Sequence, residues 1–344
     1  MTMEHGQFTK KPDVTQSIEP LDRWDGMTWG NPTTGELRVW DDVNKRWFLI
    51  DNNPRLFDNY QKGLFVSGVL ASDGSAVSTC RALQFPDESL AVEAREVAER
   101  KYASATNSSE KGFVLGGVVF ERVGFDSTSA VESETLETSK LLSMMPASAS
   151  TAGYYMGGSA SAQVTKLDFS STTLGSGASE LAAPRWLGGG VNSRDNGYVI
   201  GGRDSYGVNI KAVERLSFAD ETVSFVSAKQ TVATVRQSCF NSTMAGYSVG
   251  GVYSDGTQTT TIDKFSFVNE TSFVSCANIT EVSHVSAVGV NSTVAGYVAS
   301  GFNTGMTTKV SFADDAQNTL DVQISEPLFG SASFDSTDNN GYIH

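Results

Sequence analysis

A short glycine-led motif recurs through most of the chain at nearly even spacing. It consists of a glycine, an aromatic or bulky apolar residue, two further strand-forming residues and then small residues. Its seven copies begin at Gly63, Gly112, Gly153, Gly197, Gly246, Gly296 and Gly341. Successive copies are 49, 41, 44, 49, 50 and 45 residues apart. A period in the forties that is carried by strand-type residues predicts blades arranged around a central axis, as in a β-propeller.

A second landmark divides each repeat into a constant part and a variable part. A short apolar strand follows each of the first six glycines and ends in a phenylalanine: Phe85, Phe125, Phe169, Phe218, Phe267 and Phe312. The segment from each phenylalanine to the next glycine is almost constant in length, whereas the segment from each glycine to its own phenylalanine varies widely. Strands hold their length because a one-residue slip turns every side chain to the wrong face, whereas loops absorb insertions. We therefore predict that the variable segments lie together on one rim, which is the working surface.

Each repeat has room for four strands. Turn-forming residues such as NSTMAG precede the glycines, so each glycine begins the second strand of a hairpin. Alternating segments such as IDKFSF at 262–267 then supply a half-buried third strand, and a fourth follows a short turn. Four strands are typical of a propeller blade. Residues 89–105 fall in the outer and returning strands of their blade, although their composition also suits a helical turn.

The two ends of the chain determine how many blades form. The seventh glycine copy ends the chain at 341–344, and residues 331–337 supply one strand before it. A half-blade would leave unpaired backbone edges, and the N-terminal hairpin at 36–40 and 46–50 has the two missing strands. We therefore predict an all-β propeller over 36–344, with seven blades, the last closed by N- and C-terminal strands, and an extended arm over 1–35. A six-bladed ring with a separate N-terminal module is the alternative.

Charge and composition exclude several classes of function. The net charge is −14 and the pI is about 4.7, so there is no basic stripe for nucleic acid. No run of about 18 apolar residues predicts membrane insertion, and the first residues lack the apolar core of a secretory signal. Cys80, Cys239 and Cys276 lack metal-binding spacing, which favours small buried residues over ligands.

The strand motifs resemble those of the kelch-like β-propellers. In that family an apolar strand ends in Gly-Gly, and a later strand carries one aromatic some seven residues before another. GYVIGG at 197–202 with Phe218 and Phe225 fits this pattern, as does GYSVGG at 246–251 with Phe267 and Phe273. The chain is also similar to kelch-type repeat proteins of tailed, especially marine, bacteriophages, in which an AGY-x-x-GG strand precedes an IDKFSF-like strand. The resemblance covers 63–344, is strongest over 197–312, and implies a virion component.

The N-terminal segment is unusually rich in tryptophan. Residues 24–50 hold four of the five tryptophans and look like a small module common in phage tail and head fibres. There it helps to mount or fold the fibre, which implies docking to other virion proteins, with Trp24 and Trp29 as candidate docking residues. Trp40 and Trp47, seven residues apart, fit a propeller strand pair equally well.

No catalytic constellation is visible in the sequence. The three histidines, His5, His284 and His344, are scattered, which does not suggest a copper site. Ser-Asp-Gly at 72–74 and 254–256 lacks the tryptophan of a sialidase box. His284, Arg100 and Arg185 all lie twelve residues before a repeat glycine, which indicates a structural position that prefers a basic residue. We predict a non-enzyme without metal or other cofactor.

The variable loops offer aromatic side chains beside short polar groups, which suit carbohydrate or protein surfaces. The candidate ligand-binding residues are Asp73, Arg203, Asp204, Tyr206, Tyr253, Asp255 and Phe302. The sequence predicts a structural component of a phage virion, on a tail or capsid fibre, displayed for binding a host surface or glycan. The alternatives are a carbohydrate-active propeller enzyme and a soluble kelch-type interaction adaptor.

Overall fold

The computed structural model describes residues 14–15, 27–31, 36–41, 46–52 and 62–336, apart from short gaps at 86, 109, 126–129, 137–141, 160, 280–283 and 303. All regular secondary structure in these ranges is β-strand. Within them there is no helix that would be suited to crossing a membrane.

Residues 62–336 form six four-stranded antiparallel sheets, the blades of a β-propeller. Blade 1 contains β5 (Lys62–Val66), β7 (Thr79–Gln84), β8 (Leu90–Glu96) and, from the far end of the chain, β32 (Ala332–Asp335). Blade 2 contains β9 (Ser104–Asn107), β10 (Lys111–Gly116), β11 (Val119–Gly124) and β12 (Glu132–Thr135). Blade 3 contains β13 (Met145–Ser148), β14 (Ala152–Met156), β15 (Gln163–Asp168) and β16 (Thr173–Glu180).

The remaining blades follow the same order. Blade 4 contains β18 (Gly189–Asn192), β19 (Asn196–Ile200), β21 (Ala212–Ser217) and β22 (Val223–Lys229). Blade 5 contains β23 (Ser238–Asn241), β24 (Ala245–Val249), β25 (Thr261–Ser266) and β26 (Phe273–Asn278). Blade 6 contains β27 (Val288–Asn291), β28 (Ala295–Ala299), β29 (Met306–Ser311) and β30 (Gln317–Gln323). Two short pairs join loops: β17 (Arg185–Trp186) with β20 (Arg203–Asp204), and β6 (Val69–Leu70) with β31 (Leu328–Phe329).

The prediction of a seventh blade is wrong, and the six-bladed alternative is correct. Strand β32 pairs antiparallel with β5, so blade 1 is closed by a C-terminal strand alone. The first repeat begins at its second strand, and β32 supplies the inner strand that it lacks. The N-terminal hairpin consists of β3 (Glu36–Asp41) and β4 (Arg46–Asn52). Together with β1 (Val14–Thr15) and β2 (Thr28–Asn31) it forms a separate four-stranded sheet. The seventh glycine copy, at 341–344, lies outside the described residues.

Residues 89–105, whose composition also suits a helical turn, form strands and a connecting segment. Residues 90–96 are β8, the outer strand of blade 1, and β9 begins at Ser104. Residues 97–103 connect the two without a helical turn. Because the outer strand packs on one face only, Leu90, Glu93 and Arg95 are partly buried and the other residues of β8 are exposed. Tertiary pairing here prevails over helix propensity.

The six inner strands surround the axis, each in contact with its two neighbours: β9, β13, β18, β23, β27 and β32. The last residue of each inner strand takes part in a closed ring of hydrogen bonds between blades. The ring consists of Asn107, Ser148, Asn192, Asn241, Asn291 and Asp335. The Asn291 N–H donates to Asp335 Oδ2 at 3.0 Å, and Asn107 Nδ2 closes the ring on the Asp335 carbonyl oxygen at 3.0 Å. The sequence pattern predicts turns at these asparagines, and in the structure they also join the blades.

The two sequence landmarks meet at the interfaces between blades. In blade 4 the aromatic residue after the repeat glycine is Tyr198, and Phe267 of blade 5 stacks on it with ring centroids 5.2 Å apart. The Tyr198 hydroxyl donates to Glu270 Oε1 at 2.7 Å. Arg215, which lies opposite Tyr198 on the neighbouring strand, forms a salt bridge with Glu270 at 2.9 Å. The glycine is needed here because the blades approach closely: a Cβ on Gly246 would lie 2.6 Å from Val191 Cγ2. The constant spacing thus reflects packing between blades.

Candidate functional site

Six residues in the left-handed backbone conformation surround one end of the axis, each two residues before an inner strand. We call this ring the axial mouth; its members are Tyr102, Ser143, Leu187, Arg236, Ser286 and Gly330, with φ between 52° and 60°. The N–H of Arg236 donates to the Leu187 carbonyl oxygen at 2.8 Å, and the N–H of Ser286 donates to that of Arg236 at 2.8 Å. Such backbone strain persists where the surrounding structure fixes it. Because the backbone groups bond one another, the side chains are what the axial mouth offers to a ligand.

The axial mouth encloses a cavity of about 100 Å³ that residues from all six blades line. Arg236 is its charged member; its side chain is exposed and forms no salt bridge with any described residue. Tyr102 is half-buried at the same cavity, and Ser143 and Ser286 add hydroxyl groups. The cavity thus combines an accessible guanidinium with a phenol and two hydroxyls.

An aromatic row leads from the axial mouth to the rim. The rings of Tyr102 and Phe329 lie 6.1 Å apart, and those of Phe329 and Phe302 lie 5.0 Å apart. Phe302 is 46% exposed although it is a large apolar residue. Rings in such a row suit the flat apolar faces of sugars.

The variable loops lie on the face that carries the axial mouth, as the spacing predicted. Each follows the second strand of its blade, which runs antiparallel to the inner strand and therefore ends where the inner strand begins. The Ala71 N–H donates to the Pro327 carbonyl oxygen at 3.0 Å, and Lys101 Nζ donates to that of Gly74 at 2.6 Å. These bonds connect the first loop to residues beside the axial mouth.

The three candidate aspartates stabilise their own loops. Oδ1 of Asp73 accepts from the Ser75 N–H, that of Asp204 from the Tyr206 and Val208 N–H groups, and that of Asp255 from the Thr257 N–H, all at 2.8–2.9 Å. Hydrogen bonds from the backbone N–H groups of these loops hold the pKa of Asp73 and of Asp255 below its usual value. The aspartates therefore shape the loops that carry the other candidates.

The remaining candidates fall into two groups. Arg203 donates from Nε to Asn209 Oδ1 at 3.0 Å, and the Tyr253 hydroxyl bonds to Thr259 Oγ1 at 2.9 Å. Their loops meet where Asn209 Nδ2 donates to the Val252 carbonyl oxygen. Tyr206 is 90% exposed in the same region. Phe302 instead lies near the Asp73 loop, because both contact residues 327–329.

The tryptophans of the N-terminal sheet pack together. Trp29 is 5% exposed, and its ring lies 5.5 Å from that of Trp47, which is 5.4 Å from that of Trp40. Arg38 covers the Trp29 ring at 5.7 Å. Trp29 therefore contributes to the interior of this sheet, and Trp24 lies outside the described residues.

Three residues of the candidate site were not predicted from the sequence: Arg236, Tyr102 and Phe329. A signal for the first two was present: Tyr102 lies ten residues before Gly112 and Arg236 ten before Gly246, and the mouth residues of blades 3, 4 and 6 keep the same spacing. The spacing identifies the position, but it contains no indication that the position surrounds the axis.

The structure bears out a structural role for the basic position. Arg185 Nη2 pairs with Glu214 Oε1 at 2.6 Å inside blade 4, and Arg100 pairs with Glu121 in blade 2. His284 is buried, donates from Nδ1 to the Ser300 carbonyl oxygen at 2.6 Å, and has its pKa lowered by that burial. Within the described ranges, no group of three His, Cys, Asp or Glu side chains is arranged to hold a metal ion.

The cysteines are small, mostly buried residues, as predicted. All three have free thiols; Cys80 is buried, and Cys239 and Cys276 are partly so. Desolvation raises the pKa of Cys80 and of Cys239 to about 12 and that of Cys276 to about 11. The thiols are therefore protonated and weakly reactive at neutral pH.

The strand topology makes residues 62–336 a six-bladed β-propeller, and three comparisons set the chain against known proteins. No protein-family model matches the sequence, and no curated protein matches it. Among solved structures, that of YjhT is similar with a TM-score of 0.49 and 15% identity, over 55% of this chain and 67% of that one. The chain is a six-bladed β-propeller.

Proposed function

We propose that this protein is a kelch-like propeller of a bacteriophage virion that binds a host-surface saccharide at the axial mouth. One observation carries the binding role: the aromatic row of Tyr102, Phe329 and Phe302 ends beside a cavity that contains the exposed Arg236, which has no salt-bridge partner among the described residues. Stacking rings and a hydrogen-bonding charged group are what carbohydrate recognition needs.

The charge of the site favours an acidic sugar. A guanidinium binds a carboxylate with two parallel hydrogen bonds, which gives both affinity and orientation. The chain carries a net charge of −14, so an accessible arginine at the axis is a local exception to its overall charge. A uronic or sialic acid residue supplies both the carboxylate and an apolar ring face.

The virion role rests on the repeats and the N-terminus. The AGY-x-x-GG and IDKFSF-like strands resemble phage kelch-type repeats, and the tryptophan-rich segment resembles fibre modules. The N-terminal strands pair in a sheet of their own, so their contribution is separate from the blades. In this proposal the N-terminal segment docks to other virion proteins and the propeller contacts the host.

Calorimetric titration tests the binding role. Two acidic series, oligouronates and sialyl-oligosaccharides, are compared with neutral oligosaccharides of equal length. We expect binding of an acidic series, weakened at least tenfold by Arg236→Ala and by Phe302→Ala. Arg194→Ala is the matched control, because Arg194 is an exposed arginine in the turn between β18 and β19, at the opposite end of the inner strand from the axial mouth. Binding that Arg236→Ala leaves unchanged, or no binding of any series, contradicts the proposed site.

Particle analysis tests the virion role separately. Mass spectrometry of gradient-purified particles should detect the protein in a fixed ratio to the major capsid protein. Its presence in infected-cell lysate together with its absence from particles would rule this role out.

The competing function is a carbohydrate-active enzyme. We predict binding without turnover: incubation with host polysaccharides, with or without calcium or copper, releases no reducing ends and no peroxide. Reproducible product formation would establish the enzyme instead.

A further inference from the structure

Blade 5 lacks a buried cation that two other blades contain. In blades 2 and 4 a residue twelve before the repeat glycine, Arg100 or Arg185, pairs with the third residue of the third strand, Glu121 or Glu214. In blade 4 both side chains are at most 3% exposed. The pair satisfies the carboxylate completely, because Glu214 Oε2 also accepts from the Ala182 N–H at 2.7 Å.

Blade 5 keeps the carboxylate but has no arginine. Thr234 occupies the arginine position and Asp263 the glutamate position, and both are more than nine-tenths buried. Asp263 Oδ2 accepts from Thr231 Oγ1 at 2.6 Å. Asp263 Oδ1 is buried and has no hydrogen-bond partner among the described residues. An unpaired buried anionic oxygen is costly, so this carboxylate calls for a counter-ion or a donor.

A small polar cavity lies against this carboxylate, with a volume of about 10 Å³, enough for one water-sized occupant. Hydroxyl oxygens surround it, and none of the described residues that line it is Lys, Arg or His. The oxygen-bearing side chains of its lining include those of Thr231, Thr234, Ser248, Thr259, Thr261 and Asp263. Thr231 and Val232, which border the cavity, are exposed, so an ion has a short path from solvent.

We propose that this cavity is a binding site for one monovalent cation of about the size of water, K⁺ or ammonium. Oxygen-only ligands suit hard cations, and a single carboxylate balances a single charge. The cation replaces the guanidinium that Arg185 supplies in blade 4. The site is distinct from the axial mouth and does not depend on the proposed saccharide.

Thermal unfolding at constant ionic strength tests the site. The protein is dialysed into tetramethylammonium chloride, whose cation is too large for the cavity, and KCl or NH₄Cl then replaces it stepwise. A ligand that binds only the folded state stabilises it in a saturable way, so we expect Tm to rise by about 2 °C or more and then to level off. A Tm that is the same in all three salts means that a water molecule fills the cavity, and it overturns the proposal.

Two variants locate the effect. Asp263→Asn should abolish the response to K⁺ and ammonium, whereas Asp220→Asn, at an exposed position in blade 4, should retain it. Thr234→Arg should raise Tm in tetramethylammonium chloride and remove the response, because its guanidinium fills the cavity. This second variant keeps the test decisive if Asp263→Asn does not fold. A full response in Thr234→Arg overturns the proposal.

Discussion

Blades 4 and 5 are neighbours with the same strand order, yet they treat their buried polar groups differently. In blade 4 Arg185 neutralises Glu214, whereas in blade 5 Thr234 leaves Asp263 with an oxygen that no described residue pairs. Elsewhere the two blades agree: Tyr198 and Tyr247 each donate to an acidic residue of the following blade. The contrast shows that the contacts between blades recur from repeat to repeat. The residue twelve positions before the repeat glycine instead varies from blade to blade.

The same contrast extends to the axial mouth. Blade 4 contributes Leu187, and blade 5 contributes the exposed Arg236 in the same backbone conformation. Blade 5 therefore departs from blade 4 at two positions that do not determine the fold, two residues apart in the chain. These substitutions change the charge of the side chains on this side of the blade, and the strand order stays the same.

The largest effect is expected when blade 4 is made like blade 5. Arg185→Thr leaves Glu214 buried without its cation, and breaking one partner of such a pair costs about 3–5 kcal/mol. Urea unfolding measures the loss. Arg194→Thr, at an exposed turn of the same blade, is the control and should change stability by less than about 0.5 kcal/mol. A cost for Arg185→Thr no larger than that of the control would remove the contrast between the blades.

An intermediate effect tests what the two blades share. Burial raises the pKa of the Tyr198 and Tyr247 phenols, so both remain hydrogen-bond donors at neutral pH. Tyr198→Phe and Tyr247→Phe remove donors to Glu270 and Asp315 and should each cost about 1.5–3 kcal/mol. Chemical denaturation of the two variants should give equal losses within error. Clearly unequal losses would mean that the two interfaces are not equivalent.

A pH-dependent effect arises in blade 6, where His284 occupies the position of Arg185. Burial lowers the pKa of His284, so the folded state holds the neutral ring while the unfolded chain takes up a proton near pH 6.5. This contribution to stability is complete above pH 6.5 and decreases as the pH falls toward the folded pKa. We expect His284→Gln to flatten the decrease in unfolding free energy between pH 7.5 and 5.5. An unchanged slope would contradict a buried neutral histidine.

The smallest effect on stability is expected at the axial mouth. The Arg236 side chain is exposed, so Arg236→Ala should change the unfolding free energy by no more than about 0.5 kcal/mol. The same variant should lose saccharide binding, so stability and binding separate at this position. A loss of stability as large as that expected for Arg185→Thr would show that Arg236 is a structural residue like Arg185.

Much of the architecture could be predicted from residues that repeat. Gly246 and Phe267 have counterparts in the other blades because close approach recurs at each interface and ring stacking at five of the six. This recurrence allowed the four-stranded unit to be predicted. The variable loops were assigned correctly to one face for the same reason. The candidate site was predicted less well: Phe302 belongs to the aromatic row, whereas Asp73 and Asp255 stabilise their own turns.

By itself the sequence determined the all-β repeat, the four strands of a blade and the structural role of the basic position, because each is encoded within a single repeat. Only the tertiary structure decided that β32 closes blade 1, since two strands from opposite ends of the propeller sequence pair where the ring brings them together. The axial mouth and the cavity beside Asp263 were likewise beyond the sequence. Both depend on residues of separate strands or blades meeting in space, and on volume that no side chain fills.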